Sequence, residues 1–336
     1  MWERLLRNPC IAPNQNVEPR SVSGPKCYVF EPYVPNGGTY MAYQLARLVQ
    51  QDFGFEGVAV GATDAAHGIF QYDEIFPLIT TDELISVCKD RDLLIMNPSF
   101  SPHWLGLRCK GRKVMYVQGF STFHLMDCHF DLYVTVSTFV QNFIRSTYGI
   151  RTRVIPPFIQ PSRFPEPRAW HERKADSILV SKKGDQNLQT LLLDRLRLAL
   201  STRRCDVRLD DMLRQGRPQS QLLEQVGEYR HFLTLSPAEG FGLMPLEAMA
   251  MGTTVLGFDG YGGRDYMHPG INCDVASFAD IEGVADGIAR AIADPDYAET
   301  LTVAGRQTAH HECYTYERFR SSWRAEFEDL LSRESS

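Results

Sequence analysis

The sequence predicts an α/β protein of two doubly wound domains, each a parallel sheet covered by helices. Three observations carry this. The stretch from His231 to Asp259, HFLTLSPAEGFGLMPLEAMAMGTTVLGFD, reads as strand, glycine loop, helix, strand. The same opening recurs near the start of the chain. There Lys26 to Phe30 is a strand, Gly37 and Gly38 form a tight turn, and Thr39 to Gln51 follows as a helix with apolar Met41, Leu45, Leu48 and Val49. Finally, 336 residues suffice for two domains of ordinary size.

The central stretch is the most informative. His231 to Ser236 is a short apolar run ending at a turn-forming Ser-Pro pair, the pattern of a buried parallel strand. Glu239, Gly240 and Gly242 follow, so the backbone can turn sharply and approach a ligand. Pro245 suits the first turn of a helix, where a missing N–H costs nothing. Leu246 to Met251 continues that helix, Gly252 ends it, and Thr253 to Phe258 is the next strand. A glycine loop feeding a helix N-terminus makes an anion site, because free N–H groups and the positive end of the helix dipole converge there. Glu239 sits in the loop and Glu247 one turn inside the helix. Two carboxylates do not bind the anion; they accept hydrogen bonds from hydroxyl groups flanking it. A phosphate with a hydroxylated ring on either side is a sugar nucleotide.

Seven residues separate Glu239 from Glu247, and EGFGLMPLEAMAMGTTVL closely resembles the Glu-x7-Glu signature of family-4 retaining glycosyltransferases. The resemblance implies a GT-B fold: two Rossmann-like domains facing across a cleft, with a C-terminal helix crossing back to the first domain. It implies retaining, metal-independent transfer of a hexosyl or deoxyhexosyl group. The donor would be a nucleoside-diphosphate sugar, a UDP-sugar before others, and no cofactor besides it is implied. The acceptor would be a hydroxyl of a glycan, a lipid-linked sugar or a small natural product. By the same resemblance, Gly37, Gly38, Gly240, Phe241, Gly242, Leu243 and Glu247 bind the donor, with Glu247 on the ribose. Glu239 holds hydroxyls of the transferred sugar. A basic pair in the family clasps the diphosphate; here Lys182 and Lys183 are adjacent, and the spacing leaves open which of them does so. Family members often carry a His-Asp pair after the strand that VMYVQGF matches, whereas Gln118 and Gly119 stand here. A glutamine can bond a sugar hydroxyl but does not titrate. Gln118, with His124 six residues on, is the acceptor-side candidate. Asp265 stands after Gly262 and Gly263 where the family usually has Glu.

Along the chain, residues 1–25 read as an irregular arm rich in Pro, Asn and Ser. Residues 26–160 form the acceptor domain, with further strands at Val58 to Val60, Leu93 to Met96, Val114 to Val117 and Asp131 to Val136. Ser137 is placed to cap the helix that follows. Pro156 and Pro157 stiffen the approach to the boundary. Residues 161–310 form the donor domain, opening with a strand at Ser177 to Ser181 and a helix from Asn187 to Leu200. A short helix at Leu222 to Val226 leads into the central strand. Helices at Ala279 to Ala293 and Leu301 to Ala309 follow it. Residues 311–336 hold the crossover helix, Tyr314 to Leu331.

Composition narrows the partners. Hydrophobic residues make up 43% and charged residues 23%, an ordinary globular balance. A net charge of -6 makes nucleic acid an improbable main partner. One dense basic cluster, Arg108, Lys110, Arg112 and Lys113, keeps a DNA-modifying transferase as an alternative, beside a catalytically silent GT-B partner protein. The eight cysteines include no C-x-x-C pair, which points to free thiols in a reducing compartment and no metal site. No apolar run reaches the ~18–20 residues of a membrane span, and the N-terminus lacks a secretory apolar core. The expectation is a cytoplasmic enzyme for which peripheral membrane contact stays open.

Overall fold

In the computed structural model, residues 24–34, 36–61, 72–213 and 217–333 are described. The expected N-terminal arm lies outside them but for its last two residues. The first half runs β1 (Lys26–Phe30), α1 (Gly37–Phe53), β2 (Glu56–Val60), β3 (Leu78–Ile79), α2 (Thr81–Val87), β4 (Leu93–Met96) and α3 (Leu105–Arg108). It continues with β5 (Arg112–Val117), β6 (Leu132–Thr135), α4 (Thr138–Tyr148) and β7 (Arg153–Val154). The second half opens with β8 (Lys174–Ser181), α5 (Gln186–Thr202), β9 (Arg208–Asp211), α6 (Gln219–Gly227), β10 (Tyr229–Thr234) and α7 (Leu243–Ala250). It closes with β11 (Thr254–Phe258), β12 (Asp274–Ala276), α8 (Ile281–Ala293), α9 (Pro295–Ala309) and α10 (Tyr316–Ser332).

Among the described residues these strands form two all-parallel sheets, β3-β2-β1-β4-β5-β6-β7 and β12-β11-β10-β8-β9. Every residue of β4 and β11 is buried. Such continuous apolar runs, rather than alternation, are what helices on both faces demand. The strand order reverses between β1 and β4 in the first sheet and between β8 and β10 in the second. Crevices for ligands open beyond the carboxyl ends of strands at such points. Both crevices open on one cleft, as two Rossmann-like domains facing each other require.

Several boundaries differ from the sequence reading for local reasons. The Gly37 and Gly38 pair is the first turn of α1 rather than a loop, because the Asn36 side chain accepts from the Thr39 N–H and caps the helix there. The helix α7 starts at Leu243, so Pro245 lies inside its first turn. The segment 295–309 is one helix: Asp294 caps it and Pro295 occupies its first position. The strands β3, β7, β9 and β12 escaped the reading because short edge strands of two to four residues carry too little pattern.

The helix α10 covers the first sheet, although it follows the second in sequence. Trp323 is fully buried and meets Tyr116 of β5 edge-on at 5.2 Å. Phe327 packs on Phe53 of α1, and Arg320 pairs with Asp52. Among the described residues, no helix is long and apolar enough to cross a membrane.

The two halves also touch directly. A Cβ on Gly240 would lie 1.9 Å from the carbonyl oxygen of Gln118, so only glycine fits. Ser137, the N-cap of α4, donates from Oγ to the Gly240 carbonyl at 2.6 Å. The Asp265 carboxylate accepts from the Thr138 N–H at 2.8 Å, completing the α4 N-terminus from the opposite half. Beside it Tyr261 stacks on Phe139 at 4.9 Å and meets Phe120 edge-on.

Two outcomes follow from this packing. Gly240→Ala should destabilise the chain by about 1–3 kcal/mol in urea unfolding, since backbone on both sides must shift. The second concerns His231, buried in β10, where desolvation holds its pKa down at about 4. A depressed histidine leaves the folded state unprotonated while the unfolded chain takes up a proton. Stability is therefore unaffected above pH 6.5 and falls as pH drops from 6.5 towards 4. Over that window the wild type should lose about 3 kcal/mol more than His231→Leu in parallel denaturant titrations.

Candidate active site

Between the sheets lies a cleft of about 1360 Å³. Pockets for a single drug-sized ligand span roughly 300–1,000 Å³, so this one has room for two substrates side by side. Its floor and walls come from loops after β1, β4 and β5 on one side and after β8 and β10 on the other.

The second half supplies the charged groups. Lys183 follows β8 and Glu239 follows β10, the two strands flanking the switch point. Their side chains form an ion pair, Lys183 Nζ to Glu239 Oε2 at 2.7 Å. The lysine is half exposed, so the pair contributes little stability and its charges remain available to a ligand. Lys182 points the other way. Its ammonium bonds Asp211 at the end of β9, at 2.6 Å, and it does not line the cleft. Successive side chains of an extended chain face opposite sides, which is why adjacent lysines part company.

Glu239 is held by its backbone. Its N–H donates to the Gly260 carbonyl at 2.8 Å, and its carbonyl accepts from the Gly262 N–H at 3.1 Å. The turn 260–262 that grips it is strained at Tyr261, whose φ is 66°. Gly242 comes next at φ 89°, a left-handed conformation that glycine adopts without penalty. The buried Tyr266 hydroxyl donates to the Gly242 carbonyl, and burial raises its pKa well above the ordinary phenol value. With Gly242 fixed and no side chain capping α7, the N–H groups of its first turn face the cleft. Phe241 is buried against Tyr266 and Tyr314 and anchors the loop from below.

Glu247 projects from α7 into the same cleft, 5% exposed, and accepts from Gln219 Nε2 of α6 at 2.5 Å. The first half contributes Gly37, Gly38 and Gln118 to the lining. Gln118 spends one amide N–H on the Gly38 carbonyl at 2.7 Å, bracing β5 against the start of α1. His124 is exposed and lies outside the cleft lining. The cleft thus brings together Gly37, Gly38, Gln118, Lys183, Gly240, Phe241, Gly242, Leu243, Glu239 and Glu247, and leaves out Lys182 and His124.

Other lining residues gave no signal in the sequence. Arg163, between β7 and β8, and Arg217, before α6, line the cleft. Gln219 stands on Glu247. A helix start at Pro218 could have placed Gln219 near the loop; nothing local marks Arg163. Among the described residues, no three His, Cys, Asp or Glu side chains cluster as a metal site would require.

Residues 215–308 match the family model described as Glycosyl transferases group 1. The matched span holds β10, the loop with Glu239, α7 and Glu247. No curated protein matches the chain in sequence. Solved structures match its fold over nearly its whole length. The sucrose-phosphate synthase of Thermosynechococcus elongatus is 15% identical, with a TM-score of 0.68 over 92% of this chain and 99% of that one. HepE of Anabaena, solved with UDP and glucose, is 12% identical, with a TM-score of 0.70 over 91% of this chain and 100% of the other. The lipopolysaccharide outer core galactosyltransferase WaaB is 14% identical, with a TM-score of 0.67 over 90% and 99%. A segment of the chain, residues 215–308, is thus similar to group 1 glycosyl transferases, within a two-sheet α/β fold of the GT-B type that these solved structures share.

Proposed function

We propose that this protein is a retaining glycosyltransferase of the family-4 type, moving a sugar from a nucleoside-diphosphate sugar to a hydroxylated acceptor. The observation that carries the reading is the placement of Lys183 and Glu239 together at the β8/β10 switch point, beneath the open N-terminus of α7, with Glu247 on the far side. A UDP-sugar is the donor we favour, since the fold-level neighbour HepE was solved with UDP and glucose. The location we favour is the cytoplasm.

In this reading the diphosphate lies between Lys183 and the first N–H groups of α7. Lys183 turns from Glu239 to the phosphates as the donor enters. Glu239, freed of its partner, accepts from hydroxyls of the sugar. Glu247 accepts from the ribose hydroxyls, with Gln219 yielding or sharing the carboxylate. The bond from the anomeric carbon to the phosphate oxygen breaks, and a bond to the acceptor oxygen forms on the same face. The acceptor's proton passes to the leaving phosphate, so atoms and charge balance. Lysine and helix dipole neutralise the developing charge, a preorganised electrostatic effect needing no metal ion. Gln118, locked by its bond to Gly38, orients an acceptor hydroxyl rather than exchanging protons.

The two lysines separate the roles. Lys183→Ala should lower kcat by about 10²–10³, as removal of one charge-stabilising donor does, while Lys182→Ala changes it less than threefold. Equal losses in the two variants overturn the assignment. Glu247→Ala should weaken binding of the free nucleoside diphosphate in calorimetric titration. Glu239→Gln should leave that binding intact and slow turnover, because a charge-assisted bond tightening with positive charge on the sugar ring is lost. Activity should survive EDTA; its loss, restored by a divalent ion, would place the neutralising charge elsewhere.

A further inference from the structure

The basic cluster noted in the sequence has no part in the cleft. Between Pro98 and Phe130 the chain carries four Lys or Arg and a single carboxylate, Asp127, although the whole protein is acidic. That carboxylate is buried, accepting from the Gly106 N–H at 2.8 Å and the His129 N–H at 3.1 Å. Its bonds join two loops, 98–108 after β4 and 118–130 after β5, into one surface. The Ser101 hydroxyl, accepting from the Asp127 N–H, adds a second tie between them.

This surface displays large apolar side chains to solvent. Trp104 is 42% exposed, Leu107 64% and Leu125 40%. Leu107 and Arg108 lie on the single turn of α3, and Trp104 precedes it in a left-handed conformation at φ 52°. Arg108 and Lys110 are exposed beside them. Arg112, on the Arg333 carbonyl, and Lys113, on the Gly111 carbonyl, are half-buried, so the fully exposed charges are Lys110 and Arg108, which also reaches the His103 carbonyl at 3.4 Å. Tryptophan and leucine beside two exposed cations match the boundary of an anionic bilayer, and the exposed carboxylate next in the chain, Asp131, is engaged by the Lys113 N–H. The same two loops line the cleft with Ser99 and with Phe120 to Phe123.

We propose that this α3 surface docks the protein on anionic lipid bilayers through Trp104, Leu107 and Leu125, with Arg108 and Lys110 on the headgroups. The docking does not depend on the catalytic reading. Its consequence for that reading is that the acceptor side of the cleft opens next to the bilayer.

The test is sedimentation of the full chain, without donor or acceptor, with vesicles of phosphatidylcholine alone or with 30% phosphatidylglycerol. Each basic side chain near an anionic surface raises partitioning about fivefold. Binding should therefore appear with the anionic vesicles, be at least tenfold weaker with the neutral ones, and fall in 0.5 M NaCl. Arg108→Glu with Lys110→Glu should abolish it. Trp104→Ser with Leu107→Ser should weaken it at least tenfold while thermal unfolding stays within a few degrees of wild type. Absence of binding, equal binding to neutral vesicles, or binding undiminished in the charge variant overturns the proposal. So does tighter binding of a 20-nucleotide RNA than of the anionic vesicles, which would reassign the surface to nucleic acid.

Discussion

Gly240 has no side chain because the carbonyl oxygen of Gln118 occupies the place where one would begin. Much of the cleft depends on that single close approach. It presses the end of β5 onto the loop after β10, and Ser137 and Asp265 secure the contact from either side. With the loop immobilised there, Glu239 on one flank and Gly242 on the other have little freedom. Glu239 is pinned by the turn 260–262, and Gly242 by the Tyr266 hydroxyl. The direction of α7, and with it the aim of its N-terminal N–H groups, follows from these restraints. Packing between halves of the protein, rather than any bond within the site, sets the geometry on which chemistry would draw.

Electrostatics in the cleft is arranged as balance held in reserve. Lys183 and Glu239 satisfy each other, and Gln219 donates to Glu247. Each of these partners is what a polyanion with hydroxylated rings would replace. An exposed ion pair of this kind is worth little to stability. Breaking it on ligand entry therefore costs little, and both charges find stronger partners in a drier environment.

The legible part of the fold is the part written locally. Residues 231–259 announce strand, loop and helix within one window, and the two carboxylates fall at fixed distances inside it. The same holds for Ser137, which caps α4 as its position before the helix suggests. The edge strands β3, β7, β9 and β12 are not legible, because their pairing comes from the sheet and not from their own residues. Arg163 and Gln219 reach the cleft only through the folding of a linker and a helix onto it. Adjacent Lys182 and Lys183 look equivalent in sequence; the flanking strands β9 and β10 separate them by giving each a different acid. A glycine pair such as Gly37 and Gly38 usually marks a turn outside a helix, yet here Asn36 starts the helix ahead of them.

The placement of α10 carries a consequence for biosynthesis. The sheet formed by residues 26–154 is covered in part by Trp323 and Phe327, about 170 positions further along. At translation rates of about 5–20 residues per second, roughly 10–30 s pass between the last strand of that sheet and the helix that seals it. During this interval Tyr116 and Phe53 stand uncovered on the nascent chain. One face of the second half, with Ile178, Leu196, Leu256 and Ile288, forms a core of its own that does not include α10. The N-terminal sheet, although the ribosome delivers it first, therefore reaches its final packing only when α10 has been made.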